Sequence, residues 1–307
     1  MKYSIEKFIQ YAENRIEYGL QGRMQNNKVG SPLWNNLTPD QLGMSGSVTR
    51  VILNNLCDRP SCSYMEVGLA TGSTFCAATY KNEHQDNQFI GFDVWDGTFH
   101  KADGDRMKTM FKNNFKKYVG SISERQDTIE IVDGNFFKFN LVDLFNSKNL
   151  KPVNIYFYDA EHTNLASYYA LIYAYDILDD YFIYIVDDWN DVAVRAGAFS
   201  SLKDSGVLIH KFWCLGCEAG KSLYRPDGKW KYPEVDPVKD FGDYRSFFNG
   251  VGIFVLEKNK KSYFDLCRDG KMLKIGTPDI PQFQGDPLLE KWAGLMCPPG
   301  NFNDLLW

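Results

Sequence analysis

Apolar positions in this chain recur first at helical spacing and then in short runs. Ile5, Phe8, Ile9, Ala12 and Ile16 fall every three or four residues, which predicts an amphipathic helix. Residues 26–42 are rich in Asn, Gly and Pro and read as loop. Val48, Val51, Ile52 and Leu56 restore the helical period, so residues 45–56 form a second helix. From Tyr64 the pattern changes. Apolar runs over 63–67, 88–93, 128–133, 154–159, 181–187, 206–213 and 252–257 predict seven strands. Helical stretches separate them: 73–80, then 104–118 with Met107, Met110, Phe111 and Phe115 on one face, then part of 136–150. Leu165, Tyr168, Tyr169, Ile172 and Tyr175 mark the next helix, and 192–203 the last. Strand and helix in alternation imply an α/β fold, a doubly wound and mostly parallel sheet with helices on both faces.

This pattern divides the chain into an extension over 1–45, a domain over 46–260 and a tail over 261–307. The domain carries an insertion over 214–249 that contains Tyr224, Trp230, Tyr232, Phe241, Tyr244 and Phe247. A connection of that length serves as a lid or binding loop, or packs as a plain insertion.

Composition narrows the class. The 307 residues are 44% hydrophobic and 24% charged, as in a globular protein. A net charge of −5 weighs against nucleic acid, because phosphate contacts need clustered Lys and Arg. No segment reaches the roughly 18 apolar residues that span a bilayer. The seven cysteines are odd in number and irregularly spaced, which is no disulfide framework, and Cys214–Cys217 is a lone pair without zinc-site company. With no apolar signal core at the N-terminus, a reducing, cytoplasmic compartment is the expectation.

The candidate chemistry lies where strands end. The first strand runs into Glu66-Val-Gly68-Leu-Ala-Thr-Gly72-Ser73. Glycines there let the chain bend and let a ligand approach, and Ser73 and Thr74 suit a helix cap. The spacing is not the Gly-x-Gly-x-x-Gly that cradles a pyrophosphate, which disfavours a nicotinamide-dependent oxidoreductase. Glu66, Asp93, Asp133, Asp159 and Asp187 each end a strand, and Asp188 follows. In an open parallel sheet the ligand crevice lies at these ends. Asp93 stands 21 residues after Gly72, an interval suited to a ribose-binding acid. Asp133 follows the third strand, where an adenine edge would be read, and Trp95 either stacks on the base or packs in the core. Asp159, Asp187 and Asp188 are hard oxygen ligands that suit Mg²⁺. His162, with a pKa near ~6.5 when unperturbed, is a usable general base beside Asp159. Asn190 is either a substrate contact or a helix cap.

Glu66-Val-Gly-x-x-x-Gly72, Asp159-x-x-His162 and Val186-Asp-Asp188 together resemble the macrocin O-methyltransferase (TylF-like) branch of the class I S-adenosylmethionine-dependent methyltransferases. The resemblance covers residues 45–260. It implies a seven-stranded sheet whose last hairpin strand is antiparallel. It implies S-adenosylmethionine held by Glu66, Gly68, Gly72, Ser73, Asp93, Asp133 and Asp159, and a divalent metal held by Asp159, Asp187 and Asp188. The implied reaction is methyl transfer to a hydroxyl of a sugar, glycan or other small molecule, with Asp159 or His162 taking the proton. Homo-oligomerisation stays open. The alternative is a non-catalytic ligand-binding protein on the same scaffold. The chain departs from the family pattern at Asp179-Asp180-Tyr181, where a Gly-Gly pair is usual, and in its insertion and tail.

Overall fold

In a computed structural model of the chain, the described residues are 4–20, 45–84, 86–95, 104–120, 128–215 and 250–258. They divide between two compact units, Met1–Ala160 and Glu161–Trp307.

The first unit opens with α1 (Ile5–Leu20), which buries Phe8, Ala12 and Ile16 as the spacing predicts. Gly19 lies so close to α2 (Ser47–Cys57) that an added Cβ would come within 2.6 Å of Ile52. The Tyr11 hydroxyl donates to the Leu56 carbonyl, satisfying the last turn of α2. Then follow β1 (Ser63–Val67), α3 (Ser73–Thr79), β2 (Gln88–Asp93), α4 (Gly104–Tyr118) and β3 (Thr128–Asp133). A 3₁₀ turn, α5 (Leu141–Ser147) and β4 (Val153–Tyr158) complete the unit. Asn54 joins α2 to the end of α3 by donating to Ala77 O and Tyr80 O, each at 2.8 Å. β1 pairs in parallel with β2 and β4, and β2 with β3. That register sets Asp93 directly beside Asp133.

The second unit contains α6 (Asn164–Ala174), a 3₁₀ turn, β5 (Leu178–Val186), α7 (Val192–Ser205), β6 (Leu208–Leu215) and β7 (Val251–Glu257). β7 runs antiparallel to both β5 and β6. α6 and α7 pack closely at Gly197, where a Cβ would meet the Asn164 carbonyl at 2.2 Å. Trp189, Phe199, Phe212 and Phe254 form an aromatic core, all buried.

The strand order is β3-β2-β1-β4-β5-β7-β6 in one seven-stranded sheet. The sheet is mostly parallel and Rossmann-like, with an antiparallel hairpin at one edge, as expected. Two strand starts differ from the sequence reading by two residues or more. β5 begins at Leu178 rather than 181, because Asp180 O accepts from the Lys258 amide and Leu178 O from the Lys258 ammonium. Asp179 and Asp180 are therefore strand residues. β6 begins at Leu208 rather than 206, because Gly206 ends α7 in the left-handed region at φ 67°. The loop over 26–42, nearly all of the insertion over 214–249 and the tail over 261–307 lie outside the described residues. Among the described residues no helix is long and apolar enough to cross a membrane.

Candidate functional site

The first unit holds the turn from β1 to α3. Glu66 is fully buried in β1. One carboxyl oxygen accepts from the Tyr64 hydroxyl at 2.5 Å and the other from the Thr74 hydroxyl. Burial pushes this carboxyl up to about 8, against those two hydrogen bonds, with the charges of Asp159 and Asp93 adding to the rise. Both glycines of the turn have positive φ, 96° at Gly68 and 86° at Gly72. A Cβ on Gly68 would lie 1.7 Å from the Asp159 carbonyl oxygen, and one on Gly72 would lie 2.6 Å from the Phe111 ring. What stands within reach of both glycines is the protein's own backbone and core. The cap differs too. Gly72 occupies the N-cap of α3 without a side-chain bond. Thr74 bonds Glu66 instead, and the Ser73 hydroxyl bonds that of Ser45.

Asp93 holds the turn from below. One oxygen accepts from the amides of Leu69 and Ala70 at 2.8 and 2.7 Å, and the other from the Trp95 amide at 2.7 Å. Ala70 and Trp95 have φ of 46° and 41°, unusual for residues with a side chain. Such strained positions gather at functional turns and persist where the surroundings enforce them. The Trp95 indole N–H donates to Ala70 O at 2.9 Å, which rigidly links the ends of β1 and β2. Trp95 also packs on Phe111, so core packing accounts for it. Thr71, between the two glycines, is buried and its hydroxyl has no partner. Asp133 ends β3 half-exposed, and Lys108 of α4 bonds its carboxylate.

Lys108 escaped the sequence reading, although a signal existed. It precedes Phe111 by three residues and Phe115 by seven, which puts a cation on the buried stripe of α4. A charge there needs a partner, and the acids at the ends of β2 and β3 stand within the same pattern.

Asp159 follows β4. Its amide donates to Val67 O at 2.8 Å, and its carbonyl is the group that excludes a side chain from Gly68. In the second unit, His162 and Asp188 come together, with Nε2 to Oδ2 at 2.6 Å. Asp187 and Asp188 are both buried, and Asp188 has φ 51°. The next residue, Trp189, is fully buried, and its amide donates to Gly250 O at 3.0 Å. Gly252 leaves room for that indole, since a Cβ would come within 2.6 Å of it. The cap of α7 is Asp191, which accepts from the Ala193 amide at 2.8 Å. Neither the Asp187–Asp188 pair nor Asn190 fills that role, so their burial is not explained by capping.

No protein-family profile and no curated protein matches this chain. Several solved structures are similar in chain course at low identity. A precorrin-6y C5,15-methyltransferase from Geobacter metallireducens GS-15 is 13% identical with a TM-score of 0.45, over 73% of this chain and 94% of that one. An O-methyltransferase from Bacillus cereus, solved in complex with S-adenosylhomocysteine, is 13% identical with a TM-score of 0.40, over 81% and 91%. The O-methyltransferase TomG from Streptomyces achromogenes, solved with S-adenosylmethionine, is 10% identical with a TM-score of 0.38, over 81% and 90%.

Proposed function

We propose that this chain is an S-adenosylmethionine-dependent O-methyltransferase acting on a hydroxyl of a sugar, glycan or other small molecule. The observation that carries this reading is the Asp93 carboxylate, bonded by the Leu69 and Ala70 amides. It binds the glycine turn to the end of β2, the place in a parallel sheet where a nucleoside is held. The unpartnered Thr71 hydroxyl in the same turn fits a polar ligand. In this reading Asp93 accepts from ribose hydroxyls and Asp133 faces the base. Glu66 stands behind the turn and positions Thr74. S-adenosylmethionine supplies an electrophilic methyl group on a sulfonium. The protein's part is to align the acceptor oxygen with that methyl group and keep water away.

A divalent cation, Mg²⁺ or a similar ion, belongs to the same proposal. In the second unit His162 and Asp188 lie together and Asp187 adds a buried carboxylate, and the sequence reading adds Asp159 as a further ligand. This donor set of carboxylates and an imidazole fits a catalytic divalent ion. Such an ion would lower the pKa of an acceptor hydroxyl and orient it. The Asp159-x-x-His162 and Val186-Asp-Asp188 motifs of the sequence also keep the macrocin O-methyltransferase branch as the family reading.

A second reading draws on the His162–Asp188 contact. If Asp188 accepts the Nε2 proton, Nδ1 is left as a proton acceptor, and His162 becomes a general base without metal. Methyl transfer from labelled S-adenosylmethionine to a panel of sugars and phenols separates the two. The metal reading expects transfer to fall in EDTA and return with Mg²⁺, and Asp188→Asn to raise the metal concentration required. Full transfer in EDTA, abolished by His162→Gln, would establish the metal-free base instead. No transfer to any hydroxyl, with the cofactor bound, would point to a binding protein on this scaffold.

A further inference from the structure

Arg195 stands in the first turn of α7, in the same unit as His162 and Asp188. Two backbone bonds tie it to that pair. Its amide donates to Asp191 O at 3.1 Å, and the Asp191 amide donates to Asp188 O at 2.8 Å. Arg195 is only 5% exposed. Its Nε is sealed from solvent and has no hydrogen-bond partner. Among the described residues no carboxylate pairs with the guanidinium. The two acids nearest in the chain are engaged elsewhere, Asp188 with His162 and Asp191 with the Ala193 amide.

This placement is unfavourable on two counts. A buried cation without an anion gives up its hydration and gains no charge partner. A positive charge in the first turn of a helix also opposes the helix dipole, which favours anions there. An apolar side chain of similar size would fill the space without either cost. A guanidinium presents its donors in a fixed fork that matches a carboxylate or a phosphate. An oxyanion beside Arg195 would supply the missing charge and satisfy the fork.

We propose that Arg195 binds an anionic group, a carboxylate or a phosphate, carried by the methyl acceptor. The acceptor is then an acid that also bears a hydroxyl. Its hydroxyl lies with the His162–Asp188 pair and its charge with Arg195. Arg195 is a specificity residue that selects charged acceptors over their neutral parents. This rests on the methyltransferase reading above, in which the cofactor occupies the strand ends of the first unit and the acceptor meets the second.

The test uses the full chain saturated with S-adenosylhomocysteine, as wild type, Arg195→Met and Arg195→Lys. Thermal shifts at fixed ionic strength compare glucuronate and glucose-6-phosphate with glucose, and protocatechuate with catechol. Wild type is expected to bind at least one acid at least about tenfold more tightly than its neutral parent, the worth of one hydrogen bond to a charged group. The arm that responds tells carboxylate from phosphate. Arg195→Met should lose the preference and Arg195→Lys keep part of it, with S-adenosylhomocysteine bound as in wild type. Free of ligand, Arg195→Met should melt no lower than wild type, because it removes an unpaired buried charge. A markedly lower melting temperature would show that the guanidinium serves the fold, and would overturn the proposal. Acids that bind no better than their parents, or equally well to Arg195→Met, overturn it too and leave the cofactor reading standing. Weakened S-adenosylhomocysteine binding in Arg195→Met would assign the cation to the cofactor instead. Wild type that binds no S-adenosylhomocysteine overturns the methyltransferase reading and this proposal with it.

Discussion

A carboxyl group that is fully buried and ionises only near pH 8 makes stability depend on pH. Glu66 has an ordinary value of 4.5 and a folded value of about 8. Between those limits the folded state holds a proton that the unfolded state has released. Stability is therefore highest below the lower value and is lost as pH rises through the higher one. The change is on the order of a few kcal/mol, at ~1.4 kcal/mol for each pH unit that separates the two values. Wild type should melt at steadily lower temperature as pH rises from 5 to about 8. Glu66→Gln, which cannot ionise, should flatten that slope and be the more stable protein above pH 8. Parallel melting curves for the two would show that Glu66 does not carry the effect. The acid itself was legible at the end of an apolar run. Its partners Tyr64 and Thr74 were not, because Thr74 reads from the sequence as an ordinary cap.

The β1–α3 turn carries the next prediction. Gly68 combines positive φ with contact to the Asp159 backbone, whereas Gly120 has φ 94° and, among the described residues, nothing within 4 Å of where a Cβ would stand. Gly120→Ala should cost only the left-handed strain, roughly 1–2 kcal/mol. Gly68→Ala should cost clearly more, because the Asp159 carbonyl must also move. Urea midpoints decide this, and equal losses would mean that the turn can yield. The elements themselves were readable, since apolar runs and helical stripes survive in any context. The strand-end acids were readable for the same reason. Side-chain partnerships were not, because Lys108–Asp133 and His162–Asp188 join residues far apart in sequence. The cap of α7 was not legible either, for a smaller reason: Asp187, Asp188, Asn190 and Asp191 all suit an N-cap, and only geometry selects Asp191.

Across the whole molecule, the seven-stranded order with β7 antiparallel follows the fold that the motifs implied. That order follows from alternating strands and helices, whereas the substrate does not, since acceptor recognition depends on residues that no periodic pattern marks. The strand-end acids and the tethered glycine turn make binding of an adenosyl ligand the property on which the functional reading depends. Calorimetric titration of S-adenosylhomocysteine into wild type and Asp93→Ala measures it. One ligand should bind per chain. Asp93→Ala should bind at least about tenfold more weakly, through lost ribose contacts and a released turn, at unchanged secondary structure. A wild type that gives no binding heat, or an Asp93→Ala variant that binds as wild type does, would contradict the placement of the cofactor at the ends of β1 and β2.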